Sequence, residues 1–465
     1  MIALTLQEIA DAVGGRIAHG DPATVVVGSV QTDSRLVEPG SVFFALPGEV
    51  TDGHLFAAAA VEAGAVLVVA ERDLELGADL LIVDDGVDAL SALARLVVER
   101  VRALGRLRVV AMTGSNGKTT TKNMLHAILG AQGPTVAPVA SFNNHVGAPI
   151  TFLKVDERTE YLVAEMGASK IGEISRLVGI VMPDVGIVLK VGLAHAGEFG
   201  GIDAVEIAKS EMVTDLPPEA LAVLNVDDPR VAGMAARTRA RVATFGLGTD
   251  AEVRAEDVRV SARGTSFTLV VDGERHPVAL RILGEHHVMN ALAALTAARE
   301  FGVPLGAAIA ALEGMTRAER WRMELFERPD GVTIVNDAYN ASPDSTVAAL
   351  KTLVQITGPD RRSVAVLGEM TELGDIAQEE HDRLGRLAVR LNIDRLVVVG
   401  EGARHIHLAA GLEGSWDGES VFVEDQEAAY DLLRVELRPG DVVLVKSSNS
   451  SGLRHLGDRL AGVTP

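Results

Sequence analysis

The chain has 465 residues, and 43 Lys and Arg against 64 Asp and Glu give it a formal net charge of -21 at pH 7. This acidity argues against a nucleic-acid partner, because such binding needs a basic face, and the lack of cysteine excludes disulfides, thiolate zinc sites and a cysteine nucleophile. The length favours roughly two to four domains, and the sequence contains neither a membrane-length apolar run nor a signal pattern, so we expect a cytoplasmic protein.

The first unit, residues 1–105, contains apolar runs typical of strands at 25–27 and 65–69, with a helical pattern at 55–63. A polar loop at 31–35 places a hydroxyl, a carboxylate and a guanidinium close together. On residue types alone, a surface ion pair explains this loop better than ligand binding does.

A glycine-containing loop then follows an apolar strand and leads into a helix. Gly114 and Gly117 allow backbone amides to turn inward towards phosphate oxygens, and the helix that begins near Lys118 points its positive dipole end at the same anion. Lys118 would reach the β- and γ-phosphates, while Thr119 would ligate magnesium. Met112 stands where the common pattern has a glycine, and the alternative is a turn with an incidental lysine. Because Gly-Lys-Thr-Thr between a strand and a helix is a narrow combination, we predict an ATP site.

The second unit, residues 106–318, surrounds this loop. A strand at 161–164 ends at Glu165, and ligands of open α/β sheets bind at the carboxyl ends of strands, so Glu165 is predicted to bind the ATP metal. A capping carboxylate is the alternative. A further strand at 185–189 precedes a glycine-rich loop with His195, which packing explains poorly, although a lone histidine is more often structural.

Two other features of this unit remain ambiguous on residue types alone. Lys209 lies on a predicted helix and by itself would be a solvated residue. The adjacent His286 and His287 precede an alanine-rich helix at 291–300. They lack a carboxylate at the spacing of a zinc helix, so contact with a base or sugar is the better interpretation.

The third unit, residues 319–465, alternates strands with helices, which indicates another α/β domain with a mostly parallel sheet. Its predicted strands lie at 332–335, 364–370, 396–400 and 442–446.

Along nearly its whole length the chain resembles the Mur ligases, which form amide bonds with ATP in peptidoglycan synthesis. The residues that carry the resemblance are the 113–120 loop, Glu165, the His195 loop, Lys209, Asn290 and Asn336-Asp337. It implies an α/β fold of three domains, with a central P-loop mononucleotide-binding domain and a C-terminal Rossmann-like domain. Residues 1–105 would bind a UDP-sugar and residues 106–318 would bind ATP, while residues 319–465 would bind an incoming dipeptide and close on ATP. The family tolerates a residue other than glycine at the position of Met112.

Within the family, residues 141–149, 337–343 and 367–374 are most similar to ligases that join D-alanyl-D-alanine to UDP-N-acetylmuramoyl-tripeptide through an acyl phosphate. The chain departs from the usual pattern at 446–449, which reads Lys-Ser-Ser-Asn instead of Lys-Gly-Ser-Arg, and at His287, where asparagine is usual. The nearest alternative is the branch that adds a diamino acid to UDP-N-acetylmuramoyl-dipeptide, but its Asp/Asn-Pro-Arg motif is absent from the third unit. Folylpolyglutamate synthases lack the long first unit.

A different class of protein, a non-enzymatic sensor of ATP or a UDP-sugar, would bind nucleotide without turnover. The presence of Glu165, His195 and Lys209 argues against this class, because a sensor has no need of them.

The resemblance implies ATP and Mg²⁺ as cofactors and Lys118, His195 and Lys209 as catalytic residues, with Lys209 converted to a carbamate. The ATP-binding residues would be Gly114, Ser115, Asn116, Gly117, Lys118, Thr119, Thr120, Asn290, Arg322 and Asp337. The metal ligands would be Thr119, Glu165, His195 and Lys209. The substrate contacts would be Ser34, Arg35, Asn143, Asn144 and Asn340. We expect a monomer that neither inserts into membranes nor binds nucleic acid, in which the third unit closes over ATP from a hinge near residues 315–321.

Overall fold

The computed structural model describes residues 1–48, 51–139, 141–193, 196–414 and 419–463. They form an α/β structure of three domains, each built on its own large sheet. Among the described residues, no helix is both long and apolar enough to cross a membrane.

The N-terminal domain has a five-stranded sheet in the order β2-β7-β6-β5-β4, which is parallel except at β2. A separate antiparallel pair joins β1 to β3. The elements are β1 (Leu4–Thr5), α1 (Leu6–Val13), β2 (Arg16–His19), β3 (Val25–Val26), β4 (Val30–Gln31), β5 (Val42–Phe44), α2 (Ala57–Glu62), β6 (Leu67–Ala70), β7 (Asp79–Ile82) and α3 (Gly86–Ala103).

The central domain has a nine-stranded sheet in the order β16-β15-β14-β13-β12-β11-β8-β10-β9. Its elements are β8 (Arg108–Thr113), α4 (Lys118–Gly130), β9 (Thr135–Val136), α5 (Gly147–Phe152), β10 (Tyr161–Glu165), α6 (Glu173–Val181), β11 (Val185–Val188), α7 (Ala196–Phe199), α8 (Ile202–Thr214), β12 (Leu221–Asn225), α9 (Pro229–Ala232), β13 (Arg241–Gly246), β14 (Val253–Ser261), β15 (Gly264–Val271), β16 (Glu274–Leu280), α10 (His286–Glu300) and α11 (Leu305–Gly314). The strands from β9 to β14 run parallel, and β14, β15 and β16 form an antiparallel extension. Strand β8 lies between β10 and β11, so the strand order reverses there and opens a crevice at the carboxyl ends.

The C-terminal domain has a six-stranded sheet in the order β17-β18-β22-β19-β20-β21, parallel except at β17. Its elements are β17 (Glu324–Glu327), β18 (Thr333–Asn336), α12 (Pro343–Thr357), β19 (Ser363–Leu367), α13 (Ala377–Arg390), β20 (Arg395–Val399), α14 (Arg404–Glu413), β21 (Ser420–Val423), α15 (Gln426–Glu436), β22 (Val442–Lys446) and α16 (Leu453–Ala461). Strand β22 lies between β18 and β19, so the strand order of this sheet also reverses. The point of reversal is adjacent to the residues that follow β18.

The N-terminal and central domains share one hydrophobic core. Helix α3 packs against α5 and α6, and a single buried cluster includes Leu4, Leu93 and Leu177. Arg102 strengthens this junction, because its guanidinium donates to the carbonyls of Val181 and Met182 at the end of α6. The C-terminal domain has two core clusters, and one of them includes Leu283 of the central domain, with Val260 packed against it. This domain therefore meets the central domain through apolar as well as polar side chains.

Several sequence-based expectations for local structure are wrong. The strand predicted at 364–370 ends at Leu367, and the strand predicted at 65–69 begins only at Leu67. The helix predicted at 291–300 begins at His286, so both histidines lie within its first turn. The segment 141–149 is polar and ends in Gly and Pro, which predicts a loop, but the chain turns helical at Gly147. Asn144 Oδ1 accepts the backbone N–H groups of Val146 and Gly147 at this turn.

Candidate active site at the seam between two domains

The P-loop connects β8 to α4 with the backbone geometry that its glycines permit. Gly114 has φ 151° and Gly117 has φ 89°, both in the region that favours glycine. A Cβ on Gly117 would lie 2.3 Å from Asn290 Oδ1, so a larger residue here would displace the Asn290 side chain. Lys118 Nζ donates to the Gly114 carbonyl at 2.7 Å. The lysine is thus folded back over the loop that is predicted to cradle phosphates.

Glu165 is the buried carboxylate of this cleft, with 1% of its surface exposed. Its Oε1 accepts from Thr119 Oγ1 at 3.2 Å and from Asn143 Nδ2 at 2.7 Å. Its Oε2 is buried without a hydrogen-bond partner. A buried carboxylate oxygen without a partner is costly unless a cation or ordered water satisfies it, so this donor set fits a divalent metal.

Protein side chains alone would not complete a metal site here. Across the described part of the chain, no group of three or more His, Cys, Asp or Glu side chains could hold a metal. Mg²⁺ commonly binds through one or two carboxylates together with substrate phosphates and water, which matches a site made of Glu165, Thr119 and a nucleotide. His195, predicted as a further ligand, lies outside the described residues.

The C-terminal domain contributes Arg322 and Tyr339 to the same cleft. Arg322 Nη2 donates to Thr119 Oγ1 at 3.3 Å, and its guanidinium lies 4.4 Å from the centre of the Tyr339 ring. The Tyr339 hydroxyl in turn donates to Ser141 Oγ at 3.3 Å. The structure therefore brings Arg322 to the P-loop, although more than two hundred residues separate them in sequence.

Asp337 follows β18 and lies at the floor of the C-terminal side of the cleft. Its Oδ2 accepts from Lys446 Nζ at 2.6 Å, and its Oδ1 accepts from the Met323 N–H at 3.0 Å. Lys446 also donates to the Asn340 carbonyl at 2.9 Å. Lys446 ends β22, the strand at which the sheet order reverses, and the same strand-end rule that predicted Glu165 could have identified it.

His286 and His287 stand at the start of α10 with ring centres 4.1 Å apart. Loss of hydration, together with the Lys446 charge, lowers the pKa of His286 from 6.5 to about 4. Burial lowers the pKa of His287 well below its usual range, and His286 and Arg322 add to the effect. Both rings are therefore neutral at pH 7. His286 Nδ1 and His287 Nε2 are buried without partners, and both residues line the cleft, which supports the predicted contact with a base or sugar.

Lys209 is buried on α8 with 2% exposure, so the view of it as a solvated residue is wrong. Its ammonium lies 5.6 Å from the centre of the Phe199 ring. Burial first, and then the charge of Lys118, lower its pKa to about 7. A substantial fraction of this amine is therefore uncharged at neutral pH.

The predicted substrate contacts are distributed over several places. Asn143 and Asn340 line the cleft. Asn144 uses its side chain to begin α5. Ser34 and Arg35 lie outside the cleft in a short 3-10 turn, where Arg35 pairs with Asp33 at 2.6 Å and keeps 85% of its side chain exposed. The structure does not bring these two residues to the P-loop.

The cleft has a volume of about 350 Å³ and an electrostatic character opposite to that of the whole chain. Its charged lining consists of Lys118, Lys190, Arg322 and Lys446 against Glu165, Asp337 and Asp344. A protein of net charge -21 thus concentrates Lys and Arg side chains where a nucleoside triphosphate would bind.

Two further contacts join the domains at this seam. Lys190, two residues after β11, pairs with Asp344 at 3.2 Å, and Ser342 Oγ donates to Asn116 Oδ1 at 3.2 Å. Sequence reasoning gave no role to Lys190 or Asp344. Lys190 follows β11 and Asp344 lies in the first turn of α12. Only the packing of the two domains brings them together.

Comparison with family models extends over most of the chain. Residues 26–105 match the model described as Mur ligase family, catalytic domain. Residues 112–298 match the Mur ligase middle domain, and residues 321–449 match the model described as Mur ligase, glutamate ligase domain.

Individual proteins are similar over the whole length. The chain is 43% identical to the UDP-N-acetylmuramoyl-tripeptide–D-alanyl-D-alanine ligase of Mycobacterium tuberculosis, over 99% of this chain and 98% of that protein. It is 34% identical to the enzyme of that name from Bacillus subtilis, over 98% of both. A crystal structure of MurF from Acinetobacter baumannii superposes with a TM-score of 0.89 at 31% identity over 99% of both chains. MurF from Thermotoga maritima, solved with ADP, gives 0.82 at 28% identity, over 94% of this chain and 98% of that one.

We expect nucleotide to tighten the domain seam, because an ion pair and a few polar hydrogen bonds are weak by themselves. Solution scattering should record a smaller radius of gyration after addition of an ATP analogue and UDP-tripeptide, and Asp337→Ala should raise the KM for ATP. Asp330→Ala is the control, since Asp330 pairs with Arg328 outside the cleft. An unchanged radius, together with an unchanged KM in Asp337→Ala, would exclude the C-terminal domain from the ATP site.

The paired histidines predict a pH dependence of stability. Their pKa values are lowered in the folded protein, so the unfolded chain binds more protons at mildly acidic pH. The stabilisation that they give is present above pH 6.5 and is lost as the pH falls towards about 4. The unfolding temperature should therefore fall less between neutral and acidic pH in the double variant His286→Asn/His287→Asn than in wild type. His19→Asn, on the exposed surface, is the control and should behave as wild type does. Parallel curves for all three proteins would contradict this assignment.

Proposed function

This chain belongs to the Mur ligase family, and we propose that it joins D-alanyl-D-alanine to UDP-N-acetylmuramoyl-tripeptide at the expense of ATP. Full-length similarity to ligases of that name supports the substrate assignment. The observation that carries the mechanism is the contact of Arg322 with Thr119, because it completes a phosphate-binding loop with a cation from the dipeptide-binding side. One cleft thereby holds the groups needed to bring ATP, the tripeptide carboxylate and the amine of the dipeptide together.

In the first step, a carboxylate oxygen of the tripeptide attacks the γ-phosphorus of ATP, and the bond to the β-phosphate oxygen breaks to release ADP. The product is an acyl phosphate. The protein contributes positioning and charge neutralisation rather than covalent chemistry. Backbone amides between Gly114 and Lys118, the Lys118 ammonium and the Arg322 guanidinium would offset the charge of the phosphates.

In the second step, the free amine of D-alanyl-D-alanine attacks the acyl carbon, phosphate leaves and the new amide nitrogen loses a proton. The acyl phosphate would hydrolyse if water reached it, so the C-terminal domain must cover the cleft while it exists. Tyr339 and Arg322 lie where such a cover is needed, stacked on each other above Ser141 and Thr119.

Mg²⁺ would supply positive charge between the phosphates. Thr119 and the free Oε2 of Glu165 are the residues that would hold the ATP metal. Asn143 keeps the other oxygen of Glu165 in a fixed orientation through its 2.7 Å hydrogen bond. Asn290 and Asp337 would contact the nucleoside of ATP, together with the neutral ring nitrogens at the start of α10.

Lys209 would act as a carbamate that helps to hold a second metal together with His195. Its burial and its pKa of about 7 support this proposal, because only an uncharged amine reacts with carbon dioxide. The reaction joins the amine nitrogen to the carbon of carbon dioxide with loss of one proton, and it turns a cation into an anion.

We assign the domains as expected from the sequence: residues 1–105 for the UDP-sugar, 106–318 for ATP, and 319–465 for the dipeptide. The exposed guanidinium of Arg35 and the hydroxyl of Ser34 would contact the uridine nucleotide. A cytoplasmic location and a monomeric state stay predictions.

The alternative is a ligase that adds a diamino acid to the UDP-linked dipeptide. A structure of such a diaminopimelate ligase superposes with a TM-score of only 0.54 at 19% identity, which indicates a common fold alone. The missing Asp/Asn-Pro-Arg motif also disfavours this reaction.

The deciding experiment measures phosphate release with ATP, Mg²⁺ and UDP-MurNAc-tripeptide, and tests D-alanyl-D-alanine, lysine and diaminopimelate separately. Only the dipeptide should support turnover. Lys118→Ala should lower the rate by ~10²-fold or more, because it removes a charge from the phosphates, whereas Lys154→Ala on the exposed surface should not. Turnover with diaminopimelate and the UDP-dipeptide would favour the alternative, and wild-type-like activity of Lys118→Ala would refute the ATP-site assignment.

The carbamate makes a separate prediction. Lys209→Ala should be weakly active and should regain part of its activity with acetate, whose carboxylate can occupy the space left by the side chain. Lys118→Ala should gain nothing from acetate, since its defect is a lost cation. If acetate has no effect and experimental density shows an unmodified lysine, the carbamate is wrong for this chain.

A further inference from the structure

The chain has an unusual backbone where it enters the C-terminal domain. Arg322 lies between Trp321 with φ 55° and Met323 with φ 50°. Residues other than glycine seldom adopt this left-handed conformation, and two of them around one arginine are a strained arrangement that the surrounding structure must maintain.

Trp321 is fixed through its backbone and its ring. Its indole Nε1 donates to Asp458 Oδ2 at 2.9 Å, and its backbone N–H donates to Glu324 Oε2 at 3.1 Å. Its carbonyl accepts from the Tyr339 N–H at 3.2 Å. The indole also stacks on the Tyr339 ring, with an interplanar angle of 18°. The orientation of Trp321 is thus coupled to that of the ring on which Arg322 rests.

Asp458, on α16, is the buried anchor of this arrangement, with 2% of its surface exposed. Besides the indole, it accepts from Arg320 Nη2 at 3.0 Å and from Asn336 Nδ2 at 3.1 Å. Three donors hold the carboxylate in one position and satisfy its charge, so it can keep the indole in a fixed place.

Neither Trp321 nor Asp458 lines the cleft, whereas Arg322 does. Arg322 Nε is buried without a hydrogen-bond partner, and Nη2 reaches Thr119 on the P-loop. From this geometry we propose that Asp458 and Trp321 are positioning residues, which hold Arg322 in the direction that meets the ATP phosphates. The inference deepens the proposed function and rests on it.

The central domain supports the other end of the same segment. Asn123, one turn beyond the P-loop on α4, donates to the Ala318 carbonyl at 2.6 Å and to Glu319 Oε2 at 3.0 Å. The short segment that carries Arg322 is therefore attached to the phosphate-binding helix on one side and to Asp458 on the other.

The test compares two buried aspartates of the C-terminal domain. Asp458→Asn should lower kcat/KM for ATP by at least ~10-fold, because a displacement of about 1 Å in a positioning group commonly costs that much or more. Asp441→Asn is the matched control: Asp441 is 3% exposed and pairs with Arg362 at 2.8 Å, away from the cleft. Both variants should lose thermal stability, but only Asp458→Asn should lose ATP efficiency.

Trp321→Phe tests the same contact with a different change, since it keeps an aromatic ring beside Tyr339 and removes the indole donor. Like Asp458→Asn, it should lower kcat/KM for ATP. In an Arg322→Ala background, neither Asp458→Asn nor Trp321→Phe should lower kcat/KM for ATP further, because the side chain that they position is absent.

Calorimetric binding of a non-hydrolysable ATP analogue separates this inference from the overall reaction. If wild type binds the analogue more tightly than Asp458→Asn but turns over none of the tested acceptors, the proposed function fails while the positioning role stands. The positioning role is overturned if Asp458→Asn and Trp321→Phe keep wild-type ATP parameters, or if their effects multiply with that of Arg322→Ala. A wild-type protein that binds no nucleotide would overturn both.

Discussion

The hydrogen bond between Arg322 and the Thr119 hydroxyl connects the two halves of the cleft. Thr119 donates to Glu165 while it accepts from Arg322, so one hydroxyl joins the buried carboxylate of the central domain to a guanidinium of the C-terminal domain. The groups that would neutralise ATP therefore belong to two domains. Only when the domains touch does the cleft contain the full set of charges.

The chemistry of the cleft also depends on how little water reaches it. Removal from water lowers the pKa of Lys118, against the opposing effect of Glu165. The same effect keeps His286 and His287 neutral. A site that holds several basic side chains close together favours binding of a polyanion, because the bound anion reduces the repulsion among these basic groups.

The sequence predicted the central part of this site well. A buried strand followed by Gly114 and Gly117 allows few backbone geometries, and the carboxyl ends of neighbouring parallel strands share one edge, so Glu165 had to lie near Lys118. The start of α10 was misplaced, because alanine-rich periodicity is clear only after Asn290. Lys209 was misjudged on residue type alone, since burial of a lysine depends on what packs over its helix.

What the sequence by itself determined is the approximate position of most strands, the glycine-containing loop before α4 and the family to which they belong, because these follow from short-range backbone preferences and local spacing. What only the tertiary structure decided is which side chains meet across the seam. Lys190 meets Asp344 and Arg322 meets Thr119 across this seam, and Trp321 meets Asp458 within the C-terminal domain. The partners of each pair are far apart in sequence. Such contacts depend on the relative placement of whole sheets and domains, which the packing of large buried surfaces fixes and no local pattern encodes.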